Sequence, residues 1–294
     1  MLVDKQVSVR NKMKKALLKK SVNDDETILK QQESKIDHTE YGVFELVRRE
    51  TWNPPIPRPL LQQVHERIWA LAQQPVYEQG TDEWLQYRTL RVTASAVATL
   101  LNVGWTNFRN PEAPFAQSDL MMLRKAGFVE PFAGSDATRH GQMLEPEGRR
   151  FYAQMAKEHL ALFGLLLHRN YWFVGASPDA VCLRSGRLLE LKCPKSRTVK
   201  AGNGILSHYW MQVQLQLEVC DAEECDFFEY RVMKRDPKIR TNLVRIKRCR
   251  EWFQLVLPIL QQYVIHLYRM RALAALYKPV WREKKGFASQ EPFL

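Results

Sequence analysis

The chain has 294 residues, 45% hydrophobic and 26% charged, which is enough apolar material for a full core and excludes a disordered or fibrous protein. Lys and Arg number 44 against 32 Asp and Glu, a net charge of +12 that favours a polyanionic partner, nucleic acid ahead of an anionic membrane surface. No apolar run approaches the roughly 18 residues of a membrane span, and residues 1–20 lack the apolar core of a signal peptide, so the chain reads as intracellular with no membrane partner.

Residues 1–59 read as a separate region. Residues 1–20 hold seven basic residues and one acid, Asp24, Asp25 and Glu26 follow, and the proline-rich run 52–59 cannot be helical because proline removes amide donors. We expect a basic arm and a strap there, then one domain over 60–280 and a tail over 281–294. Leu60, Leu61, Val64, Ile68 and Leu71 recur at helical spacing and predict a helix ending before Pro75. Thr81 caps a second helix that places Trp84 and Arg88 four apart on one face, and a third covers 94–101. Residues 135–160 predict a long helix opening near His140-Gly141, with Pro146 tolerated only in its first turn. Short apolar runs at 162–168, 171–174, 180–183 and 188–192, with a turn at Ser185-Gly186, predict an antiparallel meander. A helix at 207–219, strands at 226–233 and 241–247, and a helix at 250–277 complete the order. The class is α/β, a central mixed sheet flanked by helices, with additional N-terminal and C-terminal helices.

The sharpest chemical signal is Pro178-Asp179 followed by Glu190-Leu191-Lys192. Strand alternation puts Glu190 and Lys192 on one face and Leu191 on the other, where an aspartate from the neighbouring strand can converge on the pair. Close carboxylates repel unless a cation lies between them, and hard oxygen ligands suit Mg²⁺, with Mn²⁺ as substitute, rather than zinc. Beside a metal the lysine can shed its proton and orient an attacking water. Glu145 supplies a third carboxylate. Taken alone, the same residues also fit a solvated strand face carrying an exposed ion pair.

Four ordered blocks over about 80–235 resemble the YqaJ-type viral recombinases, nucleases of the PD-(D/E)XK superfamily that include phage lambda exonuclease. They are Trp84-x3-Arg88-x4-Thr93-Ala94-Ser95, Gly141-x3-Glu145, Ser177-Pro178-Asp179 with Glu190-Leu191-Lys192-Cys193-Pro194, and Tyr209-x2-Gln212-Val213-Gln214. The resemblance implies a restriction-endonuclease-like core. It also implies Asp179, Glu190, Glu145 and the Leu191 carbonyl as metal ligands, Lys192 as the residue serving the water, and Gln212 beside the catalytic residues. Arg88, Ser95 and Ser177 would anchor a terminal phosphate. The resemblance adds Arg197 to the phosphate-binding set, but it lies one residue nearer to Glu-x-Lys than the family's arginine, so Lys195, Arg197 or Lys200 can fill that place.

The implied activity is a metal-dependent deoxyribonuclease that degrades linear double-stranded DNA from its ends, 5′ to 3′, leaving 3′ single-stranded tails. The alternatives are a broader endonuclease or RNase and a non-catalytic DNA-end binding module. A single-strand annealing protein is the partner implied by analogy, an oligomer is compatible, and the compartment would be bacterial cytoplasm or a eukaryotic nucleus. Residues 231–250 hold nine basic residues and one acid, a phosphate-contacting track on one reading and a solvated edge strand on the other. The five cysteines lack metal-ligand spacing and read as reduced thiols, and His140 is left outside the metal set.

Overall fold

A computed structural model of the chain describes residues 66–75, 77, 79–101, 117–129, 134–233 and 239–283. The arm and strap expected over 1–59 lie outside these residues. The helices are α1 (Glu66–Ala72), α2 (Asp82–Thr89), α3 (Val97–Leu100), α4 (Gln117–Ala126), α5 (Asp136–Ala156), α6 (Ser207–Val219) and α7 (Arg250–Glu283). The strands are β1 (Val92–Thr93), β2 (Leu160–Ala161), β3 (Leu166–Leu167), β4 (Val174–Ala176), β5 (Ala180–Cys182), β6 (Leu188–Lys192), β7 (Glu224–Val232) and β8 (Ile239–Lys247).

Five strands form a mixed sheet in the order β2-β5-β6-β7-β8, antiparallel except for the parallel pair β6 and β7. The crossover that a parallel pair requires is α6. A second, three-stranded sheet has the order β1-β4-β3, with β1 parallel and β3 antiparallel to β4. The predicted single meander is therefore two sheets. Val174 donates to the Tyr171 carbonyl in a turn, so the strand expected at 171–174 begins only at Val174. Ser177-Pro178 then carries the chain from β4 of one sheet into β5 of the other, and proline lacks the N–H that would continue a ladder.

Ser135 caps α5 by accepting from the Thr138 N–H at 3.2 Å, so the helix starts at Asp136 and Pro146 lies inside it, not in its first turn. The cap outweighs the proline's preference for a first turn, because the missing donor at 146 costs one internal bond while Ser135 fixes the start. The C-terminal helix runs to Glu283, so the expected tail boundary at 281 falls within it.

The central strand β6 is buried on both faces. Leu188 joins a core with Val213 and Leu217 of α6 and Leu260 and Leu267 of α7, whereas Leu189 and Leu191 join Tyr152 of α5 and Phe228 of β7. The sheet is thus held between α6 and α7 on one side and α5 on the other, as burial of two apolar sheet faces requires. Cys182, Cys193, Cys220 and Cys225 are buried free thiols, and Cys249 is a half-buried one.

Two positions on α7 separate packing from exposure. Leu260→Ala, at 0% exposure, should cost about 2–5 kcal/mol in urea unfolding. Leu255→Ala, at 76% exposure, should cost under about 0.5 kcal/mol. Equal costs would show that α7 does not pack as described.

Candidate active site

The site forms at the end of β6, where alternation turns Leu191 into the α5-side core and Glu190 toward α6. Glu190 is 1% exposed, so the solvated strand face open at the sequence level is excluded. A buried carboxylate needs donors, and three side chains supply them. Lys192 Nζ and Gln212 Nε2 both donate to Oε1, Gln212 at 2.6 Å, and Gln216 Nε2 donates to Oε2 at 2.6 Å.

Asp179 reaches the same place from the head of β5. Its N–H donates to the Leu189 carbonyl at 3.1 Å, and its Oδ2 accepts from the Leu191 N–H at 2.6 Å. Burial pushes the Asp179 carboxyl well above its ordinary range, and the charges of Glu190 and Glu145 push it further, against the opposing pull of Lys192. Glu145 stands on α5 and pairs with Arg149 one turn on. Gly148 allows that approach: a Cβ there would lie 2.9 Å from Leu191 Cδ2 and 3.4 Å from Tyr230 Cβ, so α5 rests directly on β6 and β7.

Burial alone would lower the Lys192 ammonium, but Glu190 and Asp179 outweigh it and hold the pKa above the ordinary value. Lys192 between these carboxylates is a cation. The proton loss expected from the sequence requires a bound cation whose charge cancels theirs.

The donor set fits a divalent cation. Burial and the charges of Glu190 and Glu145 raise the proton affinity of Asp179, and carboxylate oxygens are hard ligands of the kind Mg²⁺ takes. Among the described residues no group of three or more His, Cys, Asp or Glu stands, as placed, where it could hold a metal ion. Binding would require Glu145 to leave Arg149 and Lys192 to release an oxygen of Glu190.

Beside this cluster, Arg88 Nη2 donates to Ser95 Oγ at 2.9 Å and the guanidinium lies 4.1 Å above the Trp84 ring. Trp84 Nε1 in turn donates to Ser177 Oγ at 3.1 Å. Arg88, Ser95 and Ser177 are brought together in this way, and Trp84 is the piece that joins them. Burial lowers the Arg88 guanidinium to about 10, so it stays charged at neutral pH. Lys125 of α4, which the sequence did not single out, donates to the carbonyls of Arg88 at 2.5 Å and Arg91 at 2.8 Å and so ties down the end of α2. Burial, with Arg88, Arg271 and Arg91 nearby, pulls its ammonium down to about 7.

Other expected residues are engaged elsewhere. Arg197 pairs with the buried Glu229 and is not joined to the Arg88 group, although it lies 5.8 Å over the Tyr209 ring that Lys192 also faces at 5.1 Å. Gln214 turns away from Glu190, donating to the Lys247 carbonyl at 2.8 Å and accepting from the Cys249 N–H at 2.7 Å. Within the basic run, Arg245 binds Asp226, Arg248 binds Glu218 and Asp221, and Arg250 binds Glu223, while Arg231 donates to the carbonyls of Arg197 and Lys195. Much of that charge closes the fold instead of forming an open track. Lys234, Arg235 and Lys238 lie outside the described residues.

Residues 83–223 match the YqaJ-like viral recombinase domain. Uncharacterized protein R354 of Acanthamoeba polyphaga mimivirus is 31% identical over 185 residues, 58% of this chain and 32% of that protein, so the chain spans about a third of that relative's length. The alkaline exonuclease LHK-Exo from Laribacter hongkongensis is 23% identical, covering 68% of this chain and 100% of its own, with TM-scores of 0.52 and, in complex with dAMP, 0.54. The likeness to that recombinase domain is confined to 83–223, and the fold is that of the alkaline exonuclease LHK-Exo. Among the described residues no helix is long and apolar enough to cross a membrane.

Asp179→Asn should raise the melting temperature in EDTA at neutral pH, by roughly 2–4 °C for each kcal/mol of repulsion removed. A carboxyl with a raised folded pKa contributes stability below its ordinary 3.8 and loses it as pH rises through the folded value. The gain should therefore grow from about pH 4 upward, and a melting difference that is flat with pH would contradict the assignment.

Proposed function

We propose that this chain is a metal-dependent deoxyribonuclease that degrades linear double-stranded DNA from its ends in the 5′ to 3′ direction and leaves 3′ single-stranded tails. The observation that carries the reading is the convergence of Asp179, Glu190 and Glu145 with Lys192 beside the Arg88, Ser95 and Ser177 group. Carboxylates that hold a cation and a cation that holds a phosphate are the two halves a phosphodiester hydrolase needs side by side. The exonuclease of the same fold that binds dAMP, and the recombinase domain match, support a DNA end as substrate and a mononucleotide as product.

In this reading Asp179, Glu190, Glu145 and the Leu191 carbonyl hold Mg²⁺ or Mn²⁺. The ion would supply a polarised phosphoryl oxygen and a more acidic water. Lys192 orients that water through its ammonium and keeps Glu190 Oε1 in register. Gln212 holds the same oxygen. Arg88, with Ser95 and Ser177, grips the terminal 5′-phosphate, and the Trp84 face and Lys125 keep that guanidinium from swinging away.

End-labelled linear duplex should release 5′ label first in Mg²⁺, with none released in EDTA, and a uniformly labelled closed circle should stay intact. Lys192→Met should reduce kcat by about 10²–10⁴-fold. Arg88→Ala should act mainly on KM for 5′-phosphorylated ends. Binding of duplex ends without turnover in Mg²⁺ would overturn the nuclease assignment, and release of 3′ label first would overturn the direction.

A further inference from the structure

Gln216 has no place in any of the four blocks, yet it is 1% exposed and its Nε2 lies 2.6 Å from Glu190 Oε2. Gln212, one helical turn earlier, donates to the other oxygen at 2.6 Å. The two amides stand at i and i+4 on α6, the spacing that stacks side chains on one helix face. Together they grip Glu190 by both oxygens from a single rigid element. Gln214 between them faces the opposite way and binds the start of α7 and the end of β8.

The amide of Gln216 is kept at a cost. Its own Oε1 is buried with no hydrogen-bond partner, so the desolvation of that acceptor is not repaid. Turning the amide over would point that oxygen at the Glu190 carboxylate, so the assignment of donor and acceptor is fixed by charge. Leu215, Leu217 and Val213 surround the position on α6 and are fully buried. A methionine at 216 would match its neighbours without an orphaned acceptor. A residue held against packing preference in this way marks a functional constraint.

We propose that Gln216 is a positioning residue, the second half of a two-amide clamp that fixes the Glu190 carboxylate for divalent-cation binding. This rests on the reading of Glu190 as a metal ligand. Lys192 and Gln212 both hold Oε1, so without Gln216 the carboxylate has no side chain fixing Oε2 and can rotate about its last bond. Residues that orient a ligand in this manner influence metal affinity by about 10–100-fold.

The test compares the full chain with Gln216→Met in three measurements: calorimetric titration with Mn²⁺ alone, Mg²⁺ dependence of label release from linear duplex, and thermal melting in EDTA. The expected result is a Mn²⁺ affinity and a Mg²⁺ half-saturation each weakened about 10–100-fold, with KM for duplex ends within about twofold of wild type. Unchanged Mn²⁺ affinity and Mg²⁺ half-saturation would overturn the proposal, even with a lowered melting temperature, because packing alone moves the latter. If Gln216→Met is insoluble, Gln216→Asn keeps a polar amide but withdraws it by one methylene, and should show the same weakening. Wild-type protein that neither binds Mn²⁺ nor releases label would sink the nuclease reading itself. Wild-type turnover with an unaltered Gln216 variant sinks only the clamp.

Discussion

Everything at the end of β6 follows from the repulsion among three carboxylates brought close inside a folded protein. Asp179 carries the sign of it: burial, then Glu190, then Glu145, raise its proton affinity, and a single backbone N–H and the charge of Lys192 oppose them. Glu190 is handled differently, with three side-chain donors on its two oxygens. A fold selected for stability alone would replace such a cluster with apolar residues, since buried charges seldom repay their desolvation. Its presence at the end of a strand buried on both faces identifies the place where stability yields to chemistry.

The surrounding architecture supplies the cluster from four directions. The parallel pairing of β6 and β7 demands a crossover, and the crossover is α6, whose glutamines face Glu190. The change of sheets at Ser177-Pro178 sets Asp179 at the head of β5 and leaves Ser177 against Trp84, so one short link joins the carboxylate cluster to the Arg88 group. Gly148 lets α5 rest on β6 and bring Glu145 near. On the far side, Lys125 anchors the end of α2, and Arg271 of α7 donates to the Lys125 carbonyl at 2.8 Å, which links the C-terminal helix to the Arg88 group.

The sequence made the strand pair and its facing carboxylates legible because period-two alternation and hard-ligand chemistry act over a few residues. The order of helices and strands was legible for the same reason. What escaped depended on distant pairing. The two-sheet division turns on β1 joining β4 across some eighty residues of chain, which no local pattern announces. The inner position of Pro146 was hidden by the stronger cap at Ser135. The ion pairs of Arg197 and of the basic run 231–250 were not legible because their acidic partners, Glu229, Asp226, Glu218 and Glu223, come from distant parts of the chain. Gln216 carried one available signal, its i+4 spacing from Gln212 on the predicted helix 207–219, but it lies two residues beyond the last block that carried the resemblance.

The most direct test of this account is thermal melting of wild type and Asp179→Asn, first in excess EDTA and then in millimolar Mg²⁺. If the three carboxylates form a cation site, Mg²⁺ should stabilise wild type by mass action, about 2.7 kcal/mol at a hundredfold excess over Kd, and should move Asp179→Asn far less. Equal shifts in the two proteins, or no shift in wild type, would contradict a metal centre at the end of β6.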